Sequence, residues 1–339
     1  MMTLHSMAQI LATESAQGNF ASFDVPGWVW AALVGGIAIL LFADLLIVHR
    51  KPHAISMKEA TIESAVWITI GLSFALVILS WQGAPAAGEY LAGYLIEKSL
   101  SVDNVFVWAV ILNYFAVPAA YQYRVLFWGI FGALVLRAIF IFAGVALIEN
   151  FDWILYVFGA FLIFTAFRIA RHDNEGIHPE DNPVLKVFRR LIPSTTEYDG
   201  QKMFTRRSGR LLATPLFAVL VLIESTDVVF AIDSVPAILA VSREPFIVFS
   251  SNAFAILGLR ALYFVLAGMA GRFRYLNMGL GLILGFVGIK MLIAEWYHVP
   301  TAASLAVIAI ILTVTIGLSL RAEKRDASLD EVVEEEDLT

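Results

Sequence analysis

Apolar residues run along this chain in long stretches instead of recurring on one face of a helix or on alternate positions of a strand. Nine stretches stand out, near 28–48, 60–80, 88–116, 125–148, 152–170, 211–241, 246–269, 275–295 and 301–320. Each reaches the ~18 residues needed to cross ~30 Å of hydrocarbon. Lipid cannot satisfy backbone N–H and C=O groups, so only helices or closed barrels span it, and runs of this length mean helices. The expected fold is an all-α polytopic membrane protein of about nine transmembrane helices. Trp28, Trp30, Trp81, Trp153 and Trp296 fall near predicted span ends, as an aromatic belt would.

The polar stretches complete the layout. Residues 1–27 contain no Lys or Arg, and Ile10-Leu11-Ala12 is too short an apolar core for a signal peptide, so a retained extracytoplasmic tail is expected. Residues 171–209, with Pro179, Pro183, Pro193 and Gly200, read as a cytoplasmic loop between membrane halves at 28–170 and 210–320. Residues 321–339 read as a disordered acidic cytoplasmic tail. Outside the spans, every Lys and Arg except Arg243 falls on one side of the membrane when the N-terminus is placed outside, which predicts N-out and C-in.

The chain also resembles itself. Leu136-Arg137-Ala138 recurs as Leu259-Arg260-Ala261, and Gly159 and Arg168 recur at the same spacing as Gly281 and Lys290. Asp103-Asn104-Val105 pairs with Asp233-Ser234-Val235, and Glu97 and Asp227 each lie six residues earlier; an alignment through Glu224 is the alternative register. Two three-span repeats follow, at about 88–170 and 211–295. Three is odd, so the second copy enters from the opposite side. Inverted repeats of this kind place a midplane site between them in secondary transporters.

Composition sharpens this picture. Hydrophobic residues make up 59%, charged residues 15%, and mean hydropathy is +0.78. Yet Asp44, Glu97, Lys98, Asp103, Arg137, Glu224, Asp227, Asp233, Arg260 and Lys290 lie within predicted spans. Inserting each ionised group at a helix centre costs at least ~2.5–3.5 kcal/mol. Six acids face four bases, an excess that a divalent cation or shared protons would balance. On a regular helix, residues six apart point ~120° away from each other. Glu97 and Asp103, or Asp227 and Asp233, would therefore converge only if the helix broke, for which Pro236 and the neighbouring Asp, Ser and Asn residues give grounds. The expected ion ligands are Glu97, Asp103, Glu224, Asp227, Asp233 and Asp44. Asn104, Ser234 and Asn252 would be supporting oxygens or interhelical hydrogen-bond partners, and Lys98, Arg137, Arg260 and Lys290 counter-charges. His298 reads as an interfacial residue beside Tyr297. With no Cys and no mid-membrane His, the donor set suits Mg, Ca or Mn over Zn or Cu.

At Tyr94–Phe106, Glu224–Ala237 and Ser251–Arg260 the chain closely resembles the TerC family of membrane proteins, in particular its Alx-like members, and the resemblance extends over about 28–320. It implies a transporter superfamily that includes amino-acid and metal exporters, with manganese efflux attributed to Alx-like proteins and links to tellurium resistance and alkaline stress. The expectation is an inner-membrane Mn²⁺ exporter driven by proton exchange, with the divalent ion and the lipid bilayer as partners and no resident cofactor. Nucleic-acid binding and enzymatic activity have no support, and no phosphate-binding Gly-x-x-x-x-Gly-Lys-Ser/Thr loop is present. The alternatives are a stress-response assembly protein that forms homo-oligomers or recruits soluble stress proteins at 171–209, and an exporter of an organic cation.

Overall fold

A computed structural model describes residues 20–45, 55–151, 153–171, 182–207, 209–267, 275–293, 296–297 and 299–337. The helices are α1 (Gly27–Ala43), α2 (Met57–Tyr114), α3 (Ala119–Asn150), α4 (Ile154–Arg171), α5 (Pro183–Leu191), α6 (Pro215–Leu239), α7 (Pro245–Leu257), α8 (Leu259–Ala267), α9 (Leu276–Leu292) and α10 (Thr301–Asp337). An antiparallel hairpin, β1 (Phe204–Arg207) and β2 (Arg210–Ala213), separates α5 from α6 and pairs Phe204 with Ala213. Among the described residues, 57–114, 119–150, 215–239 and 245–266 are long and apolar enough to cross a membrane, and four shorter apolar helices accompany them. The protein is a multi-pass membrane protein.

The single helix α2 holds two predicted spans. Its backbone leaves helical geometry at Gly83, with φ 84° and ψ −178°, a left-handed conformation that glycine adopts without a Cβ clash. Pro85, two residues on, has no N–H to continue the ladder. The break is a reversal. Tyr90 donates to the Gly71 carbonyl at 2.8 Å, although 19 residues of straight helix would put them ~28 Å apart. Two antiparallel arms, 57–82 and 84–114, therefore stand where spans at 60–80 and 88–116 were expected. Ser56 caps the first arm by accepting from the Glu59 N–H.

The bundle has two ends. At one, segment 20–26 lies against Trp81 through Phe23; at the other, the hairpin segment docks where Tyr198 donates to the Phe115 carbonyl at 2.7 Å and Gln201 to the Ala120 carbonyl at 2.9 Å. Trp28, Trp81, Trp153 and Trp296 are exposed at the first end, whereas Trp30 is packed between Phe142, Phe246 and Phe249. Apolar side chains such as Ile39, Leu76, Ile139, Phe164 and Ile310 face outward, and Glu97, Arg137, Asp227 and Arg260 are buried. That inverts the usual distribution in water.

Four expectations are corrected. The stretch expected as a plain linking loop at 171–209 contains two regular elements, α5 and β1, although residues 172–181 lie outside the described residues. The span expected from 211 begins at Pro215, because 211–213 belong to β2. Residues 321–337, expected as disordered tail, continue the α10 helix. Finally, neither expected helix break occurs: α2 is regular from 84 to 114, and α6 runs unbroken through Asp227, Asp233 and Pro236. Pro236 stands close to the α6 C-terminus, where few backbone bonds remain to be lost.

Candidate functional site

Regular helices fix which acids meet. On α6, Asp227 and Asp233 point ~120° apart, and their partners differ accordingly. Asp227 turns toward α3, where Arg137 donates from Nη2 to Oδ1 at 3.0 Å and from Nε to Oδ2 at 3.4 Å. Asp233 turns toward α4 and accepts from the Thr165 hydroxyl at 3.0 Å.

Arg137 also joins α2. Its Nη1 donates to Glu97 in a buried ion pair and to Ser234 Oγ at 2.9 Å. Glu97 in turn accepts from Ser101 Oγ at 2.8 Å and from Asn252 Nδ2, on α7, at 2.9 Å. Relative exposure is 0% for Glu97, 1% for Arg137 and 4% for Asp227, so the cluster lies within the bundle and draws on four helices. One guanidinium bridges carboxylates from two different helices, which leaves one excess negative charge among the three groups. A cation that displaced Arg137 would find two carboxylates, a serine hydroxyl and an amide.

The other predicted residues lie elsewhere. Asp44 ion-pairs with Arg260 and accepts from Tyr123 Oη at 3.1 Å, so it does not join the Arg137 cluster. Glu224 sits one turn before Asp227 and packs against Gly132 of α3, whose missing side chain leaves room for the carboxylate; Glu224 Oε2 is buried and has no hydrogen-bond partner among the described residues. Asn104, two turns beyond Glu97, is buried with both amide atoms unpartnered among the described residues. Lys98 donates to the Ala255 carbonyl at 3.2 Å, and Lys290 lies 6.0 Å from the centroid of the Phe20 ring. Of the four expected counter-charges, Arg137 and Arg260 hold carboxylates directly. The Asp103 side chain and His298 lie outside the described residues. Among the described residues, no three His, Asp or Glu side chains are grouped closely enough to hold one metal ion.

Two partnered carboxylates of the predicted spans, the buried Glu89 and the part-buried Glu63, were missing from the set drawn from the sequence. Glu63 accepts from Arg260 at 3.2 Å, and Glu89 accepts from the Ser242 hydroxyl at 2.7 Å. Both lie inside predicted spans, at 60–80 and 88–116, close to their ends. A complete count of acids within those spans would have found them, and it widens the excess of acid over base.

Residues 82–327 match the integral membrane protein TerC family. The chain belongs to the TerC family. A Myxococcus xanthus protein described as an uncharacterized membrane protein is 48% identical over 303 residues, covering 89% of this chain and 94% of its own length. A protein of Escherichia coli strain K12, provisionally named membrane-bound redox modulator Alx, is 50% identical over 298 residues, covering 85% and 92%. A Rickettsia bellii membrane protein is 39% identical over 291 residues, covering 86% and 96%. No solved structure matches. The three most distinctive sequence segments of this TerC protein contribute Glu97, Asp227, Ser234, Asn252 and Arg260 to its two buried ionic clusters.

Proposed function

We propose that this TerC protein exports divalent cations, Mn²⁺ foremost, across the inner membrane in exchange for protons. The observation that carries the reading is Arg137, held between Glu97 and Asp227 deep in an apolar bundle. Buried charge of this kind is expensive in a membrane and marks ion pathways. Arg137 occupies the place of the departing ion. When a divalent cation enters, the guanidinium swings away and Glu97 and Asp227 become the first ligands, with Ser234 and Asn252 supplying neutral oxygens. Glu224 and Asp233, at rises of ~4.5 and ~9 Å along α6 from Asp227, are the neighbouring stations, and Asp103 is kept as a ligand on the sequence pattern alone. Carboxylates that lose their shared cation favour protonation, which couples metal departure to proton uptake.

Oxygen ligands suit a hard cation, and the choice of manganese rests on the resemblance to Alx-like proteins. The orientation rests on charge: Lys58, Arg124, Lys186, Arg189, Arg190, Lys202, Arg206, Arg207 and Arg210 gather toward the hairpin end, which makes it cytoplasmic.

The test is radioactive manganese flux in proteoliposomes, comparing the parent protein with Glu97→Gln and Asp227→Asn and using Mg²⁺, Ca²⁺ and Zn²⁺ as competitors. Flux lost in both variants, with unchanged size-exclusion profiles, supports the reading. Flux equal to that of the parent overturns the site, and flux indifferent to a pH gradient and membrane potential overturns the proton coupling.

A second reading follows from the name of the Escherichia coli relative. A redox effect here would not be thiol exchange on the chain's own residues, because it has no cysteine. It would act through an assembled partner, and the docked 182–213 segment is the surface to remove. Loss of the redox phenotype with manganese flux intact would assign that role to the segment.

A further inference from the structure

Residues 20–26 lie across one end of the bundle as an extended strap, gripped from several sides. The Ala21 N–H donates to Glu89 Oε1 at 2.6 Å, and the Phe23 N–H donates to Glu244 Oε2 at 3.3 Å. Alternate amides of an extended chain point the same way, so the strap offers two donors to two carboxylates. The Phe20 ring lies 5.1 Å from the Arg243 guanidinium and 6.0 Å from Lys290 Nζ. The Phe23 ring meets Trp81 edge-on at 5.5 Å, and Trp81 meets Phe246 at 5.6 Å. The strap thereby touches both arms of α2, the α6–α7 connection and α9.

Beneath it is an acidic pair that the proposed site does not use. Glu89 is 1% exposed, and its second oxygen accepts from Ser242, whose own oxygen accepts from the Glu244 N–H at 3.3 Å. Glu89 stands eight residues before Glu97 on one regular arm, ~12 Å along the axis and ~80° around it. It is the next acid from Glu97 toward the strap end. The Glu89 carboxylate is satisfied by the Ser242 hydroxyl and by one backbone amide, that of Ala21, from a segment outside the helices, and this last contact forms and breaks without disturbing any helix.

We propose that residues 20–26 are a lid that closes this end of the pathway and must lift for a cation to pass Glu89. The lid amides and a passing cation compete for the same carboxylates, so the exit is closed when the ion is absent. The role of the lid in transport rests on the exporter reading of the Arg137 site; its existence as a movable cover does not.

The experiment uses the absence of native cysteine. Ser242→Cys, buried under the strap, is reacted with a membrane-impermeant maleimide in proteoliposomes, with and without Phe20→Ala and Phe23→Ala, and with Trp296→Cys as an exposed control. Loosening the lid should raise the Ser242→Cys rate by about ten-fold or more, with intermediate rates in the single variants, and leave the control unchanged. Equal rates in all forms overturn the lid. In a second arm, Ala21→Cys and Ser242→Cys are joined by a short reducible cross-linker. Manganese flux should fall about ten-fold on cross-linking and return on reduction. Full flux through the cross-linked protein overturns the gating role. If the parent moves no manganese, the exporter reading fails, and the labelling arm still decides whether the strap is a lid.

Discussion

Arg137 and Arg260 stand in the same Leu-Arg-Ala motif and are both buried, yet they are held in different ways. Arg137 spends all three guanidinium nitrogens on in-plane bonds, two to Asp227 and one each to Glu97 and Ser234. Arg260 reaches Asp44 and Glu63 through Nη2 alone, its Nε is unpartnered among the described residues, and its flat face lies 3.9 Å from the Tyr123 ring centroid. The acids differ as well. Arg137 gathers carboxylates from both predicted repeats, whereas Arg260 gathers them from α1 and the first arm of α2, which precede the repeats. A shared motif therefore supplies a buried cation at each place, and the neighbouring helices decide what it holds together.

The contrast breaks most easily at the arginines themselves. Arg137→Ala leaves two carboxylates buried and uncompensated, and about 3–5 kcal/mol of stability should be lost. Arg260→Ala should cost less, roughly 2–3 kcal/mol, because the Glu63 side chain keeps 11% of its exposure and can reach solvent. Chemical denaturation in detergent measures both, and equal costs would show that the two clusters are energetically alike. Next in size is Gly159→Ala. A Cβ there would lie 3.0 Å from the Gly288 carbonyl, and one on Gly288 would lie 2.9 Å from the Gly159 carbonyl, so α4 and α9 touch backbone to backbone. Overpacking should cost ~1–3 kcal/mol in either glycine, with both arginine clusters unaffected; a neutral result would mean that α4 and α9 are free to slide.

Tyr123→Phe is smaller again. It removes the hydroxyl that donates to Asp44 and keeps the ring over Arg260, so ~0.5–1.5 kcal/mol is expected. A larger loss would show that Asp44 depends on Tyr123 more than on Arg260. The smallest effect lies outside the membrane, in the hairpin segment. The Thr205 hydroxyl and then the Lys202 ammonium hold the Asp199 carboxyl below its usual range. A depressed folded-state value means that this contribution is complete above the unfolded carboxylate value of ~3.9 and disappears as pH falls through the lower folded one. Amide exchange around 199–205 should quicken as pH falls through that window, after correction for intrinsic rates, while amides around Arg137 do not respond in step with it. Exchange that shows no such step would remove Asp199 from the docking of the hairpin.

Much of this was legible beforehand. Long apolar runs in a chain with few charges admit only helices in lipid, and separate spans at 60–80 and 88–116 already implied a reversal between them, whose place at Gly83 the structure supplied. The Leu-Arg-Ala pair singled out both buried arginines. Less legible were Glu63 and Glu89, which stand near the ends of their spans, where an acid is ordinarily solvated. Asp44 was placed with the ion ligands for want of any local signal that Arg260 and Tyr123 would meet it.

The sequence by itself determined that the chain lives in a bilayer, that it carries far more intramembrane charge than packing requires, and that Asp227 and Asp233 must face different ways unless their helix breaks. Those follow from solvation and from 3.6 residues per turn. Only the tertiary structure decided that the helix does not break, that Asp227 shares Arg137 with Glu97 while Asp233 goes to Thr165, and that an extended strap covers Glu89. A helix fixes the direction of each side chain about its own axis; what waits in that direction is set by the packing of the other helices.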